Sequence, residues 1–395
     1  MRRRTFLKGT LAGAATASIG QPLFSRPANK KLTVGIIGCG RMGQYYAEVY
    51  KELPDTEIVA IAEWNDERRA VVGERFGVKK LYKHARAMLA DVVPDVCAVI
   101  TPTKFMKDAV IACAEAGVKG VSTDKPIAAR LSDADAMVEA CEKNNVVFAG
   151  GNLQRAKYTV QHAAKRLHSG EFGEVTGAAV HRFSGEISGG GCQHICVLRL
   201  LTGAEVSEVT CWGGPKEALA REDDAGLNID GVFRMSSGLP VQVFSAANPY
   251  RGIDVWTKDA LVRWDWAPPE IYHGYDANGA RKKIDPGYPP FEFAHLIERN
   301  EHLRVGDDYL ITSIRTFVNA VRKGTPLWVS GHDLRQALEV AIASKLSVQL
   351  GNKTVKLPLK DRSLALYPRQ YRWAGGDVSG RPQSADDAAG KAKAN

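Results

Sequence analysis

The chain has 395 residues, 45% of them hydrophobic and 25% charged, with 38 Gly and 18 Pro scattered along its length. This excludes collagen-like and disordered chains, and the length asks for two or three domains rather than one small core. Five of the nine net positive charges fall within residues 1–29, which carry no acid. The remaining +4 forms no dense Lys/Arg stripe, so no nucleic-acid partner is expected.

Residues 1–20 read MRRRTFLKGTLAGAATASIG. A basic start followed by a short run of small, weakly apolar residues is the layout of a secretory signal, and Gly9, Gly13 and Gly20 make a poor helix. The run Arg3-Arg4-Thr5-Phe6-Leu7-Lys8 resembles the twin-arginine signal, with Arg2 where that signal usually has Ser or Thr. Residues 1–29 are therefore read as an export signal of the twin-arginine type, cut after Ala17 or Ala28, and the protein as periplasmic. That route carries folded proteins, which suits one that first collects a cofactor in the cytoplasm. After residue 30 no apolar run approaches the roughly 18–20 residues of a spanning helix. All seven Cys follow the signal, odd in number and without a regular framework. Cys192-Gln193-His194-Ile195-Cys196 gathers ligand-type residues, but a fourth donor and a second paired motif are missing, so no metal is expected.

Residues 30–150 alternate strand and helix patterns. Leu32–Ile37 is continuously apolar, as a strand buried on both faces should be, and runs into Gly38-Cys39-Gly40-Arg41-Met42-Gly43. A helix pattern continues to about Lys51. A second strand, Glu57–Ala62, ends at Glu63, twenty residues after Gly43. Strand before, helix after and an acid at the end of the second strand are the three contexts a dinucleotide fingerprint requires. Gly38 permits the tight turn, Gly40 lets backbone approach a pyrophosphate, and Gly43 lets helix pack on strand. The N–H groups at the helix start then hold phosphate charge. Glu63 is expected on the adenosine ribose hydroxyls, which favours NAD over NADP; Arg41 nearby works against that preference. Further units follow: strand Asp95–Ile100, Thr101-Pro102, helix Lys104–Ala116, strand Lys119–Ser122, Asp124-Lys125-Pro126, helix Ser132–Asn144 and strand Val146–Ala149. They predict a doubly wound parallel sheet with the glycine turn, Glu63, Thr101, Pro102, Asp124 and Lys125 collected in one crevice at its carboxyl edge.

Residues 151–373 have a different character. A helix pattern at Tyr158–Ser169 precedes strand-like runs at Val175–Phe183, Val206–Trp212, Val232–Met235, Val241–Ala246 and Leu261–Trp264, separated by turn signals. Helical crossovers are scarce, so an α+β domain with an open, mostly antiparallel sheet is expected. Helices are expected at 306–323 and 331–350, and residues 374–395, rich in Gly, Ala, Lys and Asp, read as a disordered tail.

In this order the Gly38–Gly43 turn with Glu63, Thr101-Pro102, Asp124-Lys125-Pro126, Gly151-Asn152-Leu153-Gln154-Arg155 and Phe317–Gly324 resemble the glucose–fructose oxidoreductase / inositol dehydrogenase (Gfo/Idh/MocA) family. The resemblance covers roughly residues 32–373. It implies a Rossmann domain, a second domain whose sheet often makes a homo-oligomer, bound NAD, and a small carbohydrate or cyclitol substrate exchanging hydride at a ring carbon. Lys125 maps onto the family's catalytic Lys, where a cation stabilises the developing alkoxide. The family's Asp-x-Gly-x-His-x-x-Asp pattern is broken. Counting back from Gly203 puts Gly189 on the first Asp, Gln193 on the His and Cys196 on the second Asp, with His194 one residue late. Either the shortened segment brings His194 into the site as proton acceptor, or Gln193 occupies it as a substrate-binding group that cannot act as a base. Met106 stands where many relatives carry a His. Arg155 and Lys157 have two open readings, sugar-site donors or solvated helix residues. Three functions follow: an exported sugar or cyclitol oxidoreductase, a glycoside-cleaving enzyme using transient oxidation and elimination, or a non-catalytic sugar- or nucleotide-binding member.

Overall fold

An apolar run with no polar face must be covered on both sides, and β1 (Leu32–Ile37) lies inside a parallel sheet. The chain continues through α1 (Arg41–Glu52), β2 (Thr56–Ala62), α2 (Asp66–Phe76), β3 (Leu81–Tyr82), α3 (Ala85–Asp91), β4 (Val96–Val99), α4 (Thr103–Glu115), β5 (Gly120–Thr123), α5 (Leu131–Lys143) and β6 (Val147–Ala149). The computed structural model describes residues 30–151, 153–246, 251–300, 302–303 and 308–374. Among them the six strands lie in the order β3-β2-β1-β4-β5-β6, all parallel. The strand order reverses beside β1, which opens a crevice at the carboxyl ends. The expected signal at 1–29 and all of the expected tail except Ala374 lie outside the described residues.

The chain then runs through α6 (Tyr158–His168), β7 (Val175–His181), β8 (Ser184–Gly185), α7 (Gly191–Thr202), β9 (Val206–Gly214), α8 (Lys216–Ala220), β10 (Leu227–Met235) and β11 (Pro240–Phe244). It continues with β12 (Gly252–Thr257), β13 (Ala260–Trp264), β14 (Glu270–Tyr275), β15 (Arg281–Ile284), α9 (Ala294–Arg299), α10 (Asp308–Lys323), α11 (Gly331–Gln349), β16 (Val355–Lys356) and α12 (Gln370–Ala374). The second sheet has the order β15-β14-β13-β12-β7-β11-β10-β9-β16, with β8 beside β10. The described pairs are antiparallel apart from β7 with β11, which run parallel. Along β10 burial alternates, with Leu227, Ile229, Phe233 and Met235 inward in one core with Leu334 and Leu338 of α11. The other face shows Trp212, Val232 and Phe244 to solvent.

Six strands are absent from the sequence expectation: the two-residue β3, β8 and β16, and the longer β12, β14 and β15. In β12 all but one of the residues are buried, so no alternation marks it, and β14–β15 is a largely polar hairpin at the sheet edge. The expected division at residue 150 is not kept in packing. Helix α10 returns to the first sheet, where Leu310, Ile311, Ile314 and Phe317 share a core with Val34, Ile36 and Tyr46. Gly120 makes room for it: a Cβ there would lie 2.7 Å from the Phe317 ring. Arg315 fastens the helix with two bonds of 2.8 Å to the carboxylate of Asp55.

Candidate active site

The glycine turn after β1 is shaped by close approach. Gly38 has φ +87°, and a Cβ on it would lie 2.5 Å from the carbonyl oxygen of Ile100. A Cβ on Gly43 would lie 2.0 Å from the oxygen of Gly38, so α1 can sit on the turn only without a side chain there. Helix α1 starts at Gly40 with no side-chain cap and no acid in its first turn. Its leading N–H groups, from Arg41, Met42 and Gly43, face outward as an uncompensated positive end. This cradle fits a diphosphate.

Glu63, at the end of β2, is 3% exposed. Its Oε2 accepts from the backbone N–H of Cys39 at 2.7 Å, while Oε1 accepts from the N–H of Asn65 at 2.9 Å and faces Arg68 Nη1 at 3.3 Å. The acid thus stands against the glycine turn, as expected, and retains one acceptor position for a ribose hydroxyl. Arg68 offsets part of its charge, a feature the sequence did not suggest. Trp64, beside it, is 64% exposed.

Across the crevice Thr101-Pro102 lie just beyond the end of β4, and Pro102 precedes the first turn of α4. The Thr101 hydroxyl is buried without a hydrogen-bond partner among the described residues. Thr103 reaches the carbonyl oxygen of Pro126 at 3.5 Å, which ties α4 to the Asp124-Lys125-Pro126 turn. Lys125 donates its backbone N–H to Asp124 Oδ1 at 2.7 Å. Desolvation raises the pKa of the Asp124 carboxyl, against the pull of Lys125 and Arg372. The sequence-predicted cofactor residues and Lys125 therefore gather at one edge of the first sheet.

Facing them is the start of α7. The Cys192 thiol donates to the oxygen of Gly189 at 2.7 Å. Burial pushes it up to about 12, with Lys125 and Arg372 pulling it down and Glu186 and Asp124 pushing it up. Of the charged groups that act on this thiol, Glu186 and Arg372 were not singled out in the sequence.

The other predicted site residues sit elsewhere. His194, expected as a proton acceptor, turns its ring into an aromatic cluster, 5.8 Å from Trp264 and 5.9 Å from Trp266 between centroids. Burial, with Arg251 nearby, lowers its pKa to about 4. Gln193, expected on a sugar hydroxyl, is 2% exposed, and its Oε1 accepts from the N–H of Gln154 at 2.7 Å. Arg155 donates to the oxygens of Trp328 and Cys196, each at 3.0 Å, and lies 3.7 Å from Asp333. Lys157 is buried 3.4 Å from Asp308. Gln193, Arg155 and Lys157 fasten the junction of the two sheets instead of lining an open crevice, because each polar head is held by protein groups. Met106 is buried in the core.

The cysteines are all free and buried, and the described residues hold no group of three or more His, Cys, Asp or Glu arranged for a metal. No described helix is long and apolar enough to cross a membrane.

Comparison with known proteins bears on the family and the fold. The family described as "Oxidoreductase family, NAD-binding Rossmann fold" (GFO_IDH_MocA) matches residues 32–151. A myo-inositol 2-dehydrogenase of Thermotoga maritima is 27% identical over 348 residues, covering 82% of this chain and 98% of the relative. A 2,7-anhydro-N-acetylneuraminate hydratase of Mediterraneibacter gnavus is 30% identical over 327 residues, covering 68% of this chain and 84% of the relative. The fold is shared with an oxidoreductase from Agrobacterium radiobacter solved with NAD+, L-tartaric acid and magnesium, at TM-score 0.67 and 21% identity over 83% of this chain and 98% of that one. The chain belongs to the Gfo/Idh/MocA oxidoreductase family, with an NAD-binding Rossmann fold.

Proposed function

We propose that the protein is an NAD-dependent dehydrogenase of a small sugar or cyclitol, acting at a ring carbinol. The observation that carries this reading is the placement of Lys125 at the carboxyl edge of the sheet that also presents the uncapped start of α1. The glycine turn, α1 and Glu63 hold the nucleotide, and Thr101 and Pro102 line its path. When bound, NAD+ supplies the hydride acceptor. Lys125 holds the carbinol oxygen and stabilises the negative charge that grows there as the C–H bond breaks. The carbinol proton passes to Lys125 as the neutral amine, which thereby gains the positive charge that balances the oxygen, and from there to solvent. The inositol dehydrogenase supports a cyclitol or sugar as substrate.

The test is calorimetry with NAD followed by turnover of myo-inositol, read from the absorbance of reduced nicotinamide. Lys125→Ala should lower kcat at least a hundredfold and leave NAD affinity within threefold. An unchanged kcat removes Lys125 from the mechanism, and a flat NAD titration removes the reading as a whole.

A second reading is glycoside cleavage or hydration through transient oxidation and elimination, and the similarity to the anhydro-sugar hydratase favours it. It predicts product without net accumulation of reduced nicotinamide. For location, the Arg3-Arg4 segment supports export to the periplasm; replacing both with Lys should hold the protein in the cytoplasm. The apolar outer face of the second sheet, with Trp212, Val232 and Phe244, supports a homo-oligomer. Light scattering would show a monomer if that is wrong.

A further inference from the structure

The last described segment laces the two halves of the crevice together. Leu366 donates its N–H to the oxygen of Ala129 at 2.8 Å, and Arg130 pairs with Ala365 just beyond the Asp124-Lys125-Pro126 turn. One residue on, Tyr367 donates to Glu222 at 3.0 Å and accepts from Asp224 at 3.2 Å, in the connection between β9 and β10. The chain then turns into α12, which packs on α4, the helix whose first residue bonds Pro126. The Trp373 ring closes on Tyr367 at 4.8 Å.

This path delivers Arg372 to the crevice. Its Nε lies 2.5 Å from Glu186 Oε1, and a guanidinium and a carboxylate paired through one atom each have further donors and acceptors to offer. Glu186 is built into place. Gly191 donates to its backbone oxygen at 2.9 Å, and the neighbouring Ser188 gives both its N–H and its hydroxyl to Asp224, at 2.7 and 2.6 Å. A Cβ on Gly189 would lie 2.5 Å from Glu186 Oε1, so a side chain there would push the carboxylate out of this position. Buried ion pairs contribute little net stability, so this construction calls for another role.

We propose that Glu186 and Arg372 form a substrate-binding pair opposite Lys125, the carboxylate accepting from one hydroxyl and the guanidinium donating to its neighbour on a neutral polyol. The pair rests on the dehydrogenase reading above and replaces the acid and His that the segment Gly189–Gln193 lacks. Arg372 pairs with Glu186, and Lys125 and Arg372 both draw down the pKa of Asp124, so two cations and two acids share this edge. The crevice thus offers a charged substrate no net attraction and an uncharged diol both donors and acceptors.

The experiment uses the NAD-loaded full chain with myo-inositol, methyl β-D-glucopyranoside and D-glucuronate as probes. Arg372→Ala and Glu186→Gln should each raise KM for a neutral probe at least tenfold, with kcat within threefold and NAD affinity unchanged. Glu186→Gln, which removes an acid, should also shift kcat/KM at least tenfold toward D-glucuronate over the neutral probe. Arg372→Lys should recover part of the loss, and it serves as the folding control if the Ala variant is unstable. KM values and probe preference unmoved in both variants overturn the pairing. So does faster turnover from a chain ending at Arg369, which would make α12 a plug. If the wild-type protein binds NAD but neither binds nor oxidises any probe, the polyol reading itself fails and this proposal with it.

Discussion

Glu63 receives the backbone N–H of Cys39, the first residue after the leading glycine of the nucleotide turn, at 2.7 Å. One side chain therefore shapes the turn and faces the position of the ribose. Glu63→Gln keeps one oxygen for the Cys39 amide but turns its NH2 toward the Asn65 N–H and Arg68, so stability should fall, by about 1–3 kcal/mol. It removes the charge that repels a 2′-phosphate and releases Arg68 to meet one. NAD affinity should fall and NADP affinity rise, changing their ratio at least tenfold in calorimetric titrations. A ratio that stays put would show that Glu63 shapes the turn alone.

Trp64 follows Glu63 and is 64% exposed, so its ring contributes little to the core. An indole at this strand end offers a flat face to the adenine. Trp64→Ala should leave the melting temperature unchanged and weaken NAD by about 0.5–1.5 kcal/mol, the range of one aromatic contact, or roughly two- to tenfold. Quenching of its fluorescence by NAD, lost in the variant, gives an independent check.

The nucleotide site was legible because its requirements are local. Gly38 and Gly43 answer steric demands set within one turn, and Glu63 closes the same βαβ unit. The face of α7 was not legible. From Gly191 to Leu198 every residue is buried, so no periodicity shows which side meets the crevice. The Cys192 thiol bonds the oxygen of Gly189, and His194, two positions on, turns to Trp264. Arg372 and Glu186 carried no signal at all. Their pairing depends on where the C-terminal segment crosses both halves, which is long-range closure rather than pattern.

His194 has a stability role with a defined sign. Its pKa falls from 6.5 to about 4 through burial and the nearby Arg251, with His181 adding in the same direction. The unfolded chain takes up the proton first as pH drops, so stability is full above 6.5 and falls as pH goes from 6.5 toward 4, by about 3 kcal/mol from this group. In His194→Phe that slope should be reduced relative to wild type in urea midpoints measured across this range. Turnover at neutral pH should stay within threefold; a loss of a hundredfold would return His194 to the catalytic machinery.

Arg155 separates a structural from a substrate-binding role most cleanly. Its guanidinium holds the carbonyl oxygens of Trp328 and Cys196, and the second of these lies inside helix α7, where the helix ladder also uses it. Arg155→Ala leaves the half-buried Trp328 oxygen without this donor and takes the second bond from the Cys196 oxygen, and should cost about 1–3 kcal/mol of stability. Asp333 keeps its ion pair with Arg199 at 2.8 Å, so the start of α11 stays anchored. KM for myo-inositol should therefore be unchanged at a temperature where the variant is folded. A tenfold rise in KM with undiminished stability would mean that Arg155 leaves its carbonyl partners to meet the sugar, and that the junction between the sheets opens when substrate binds.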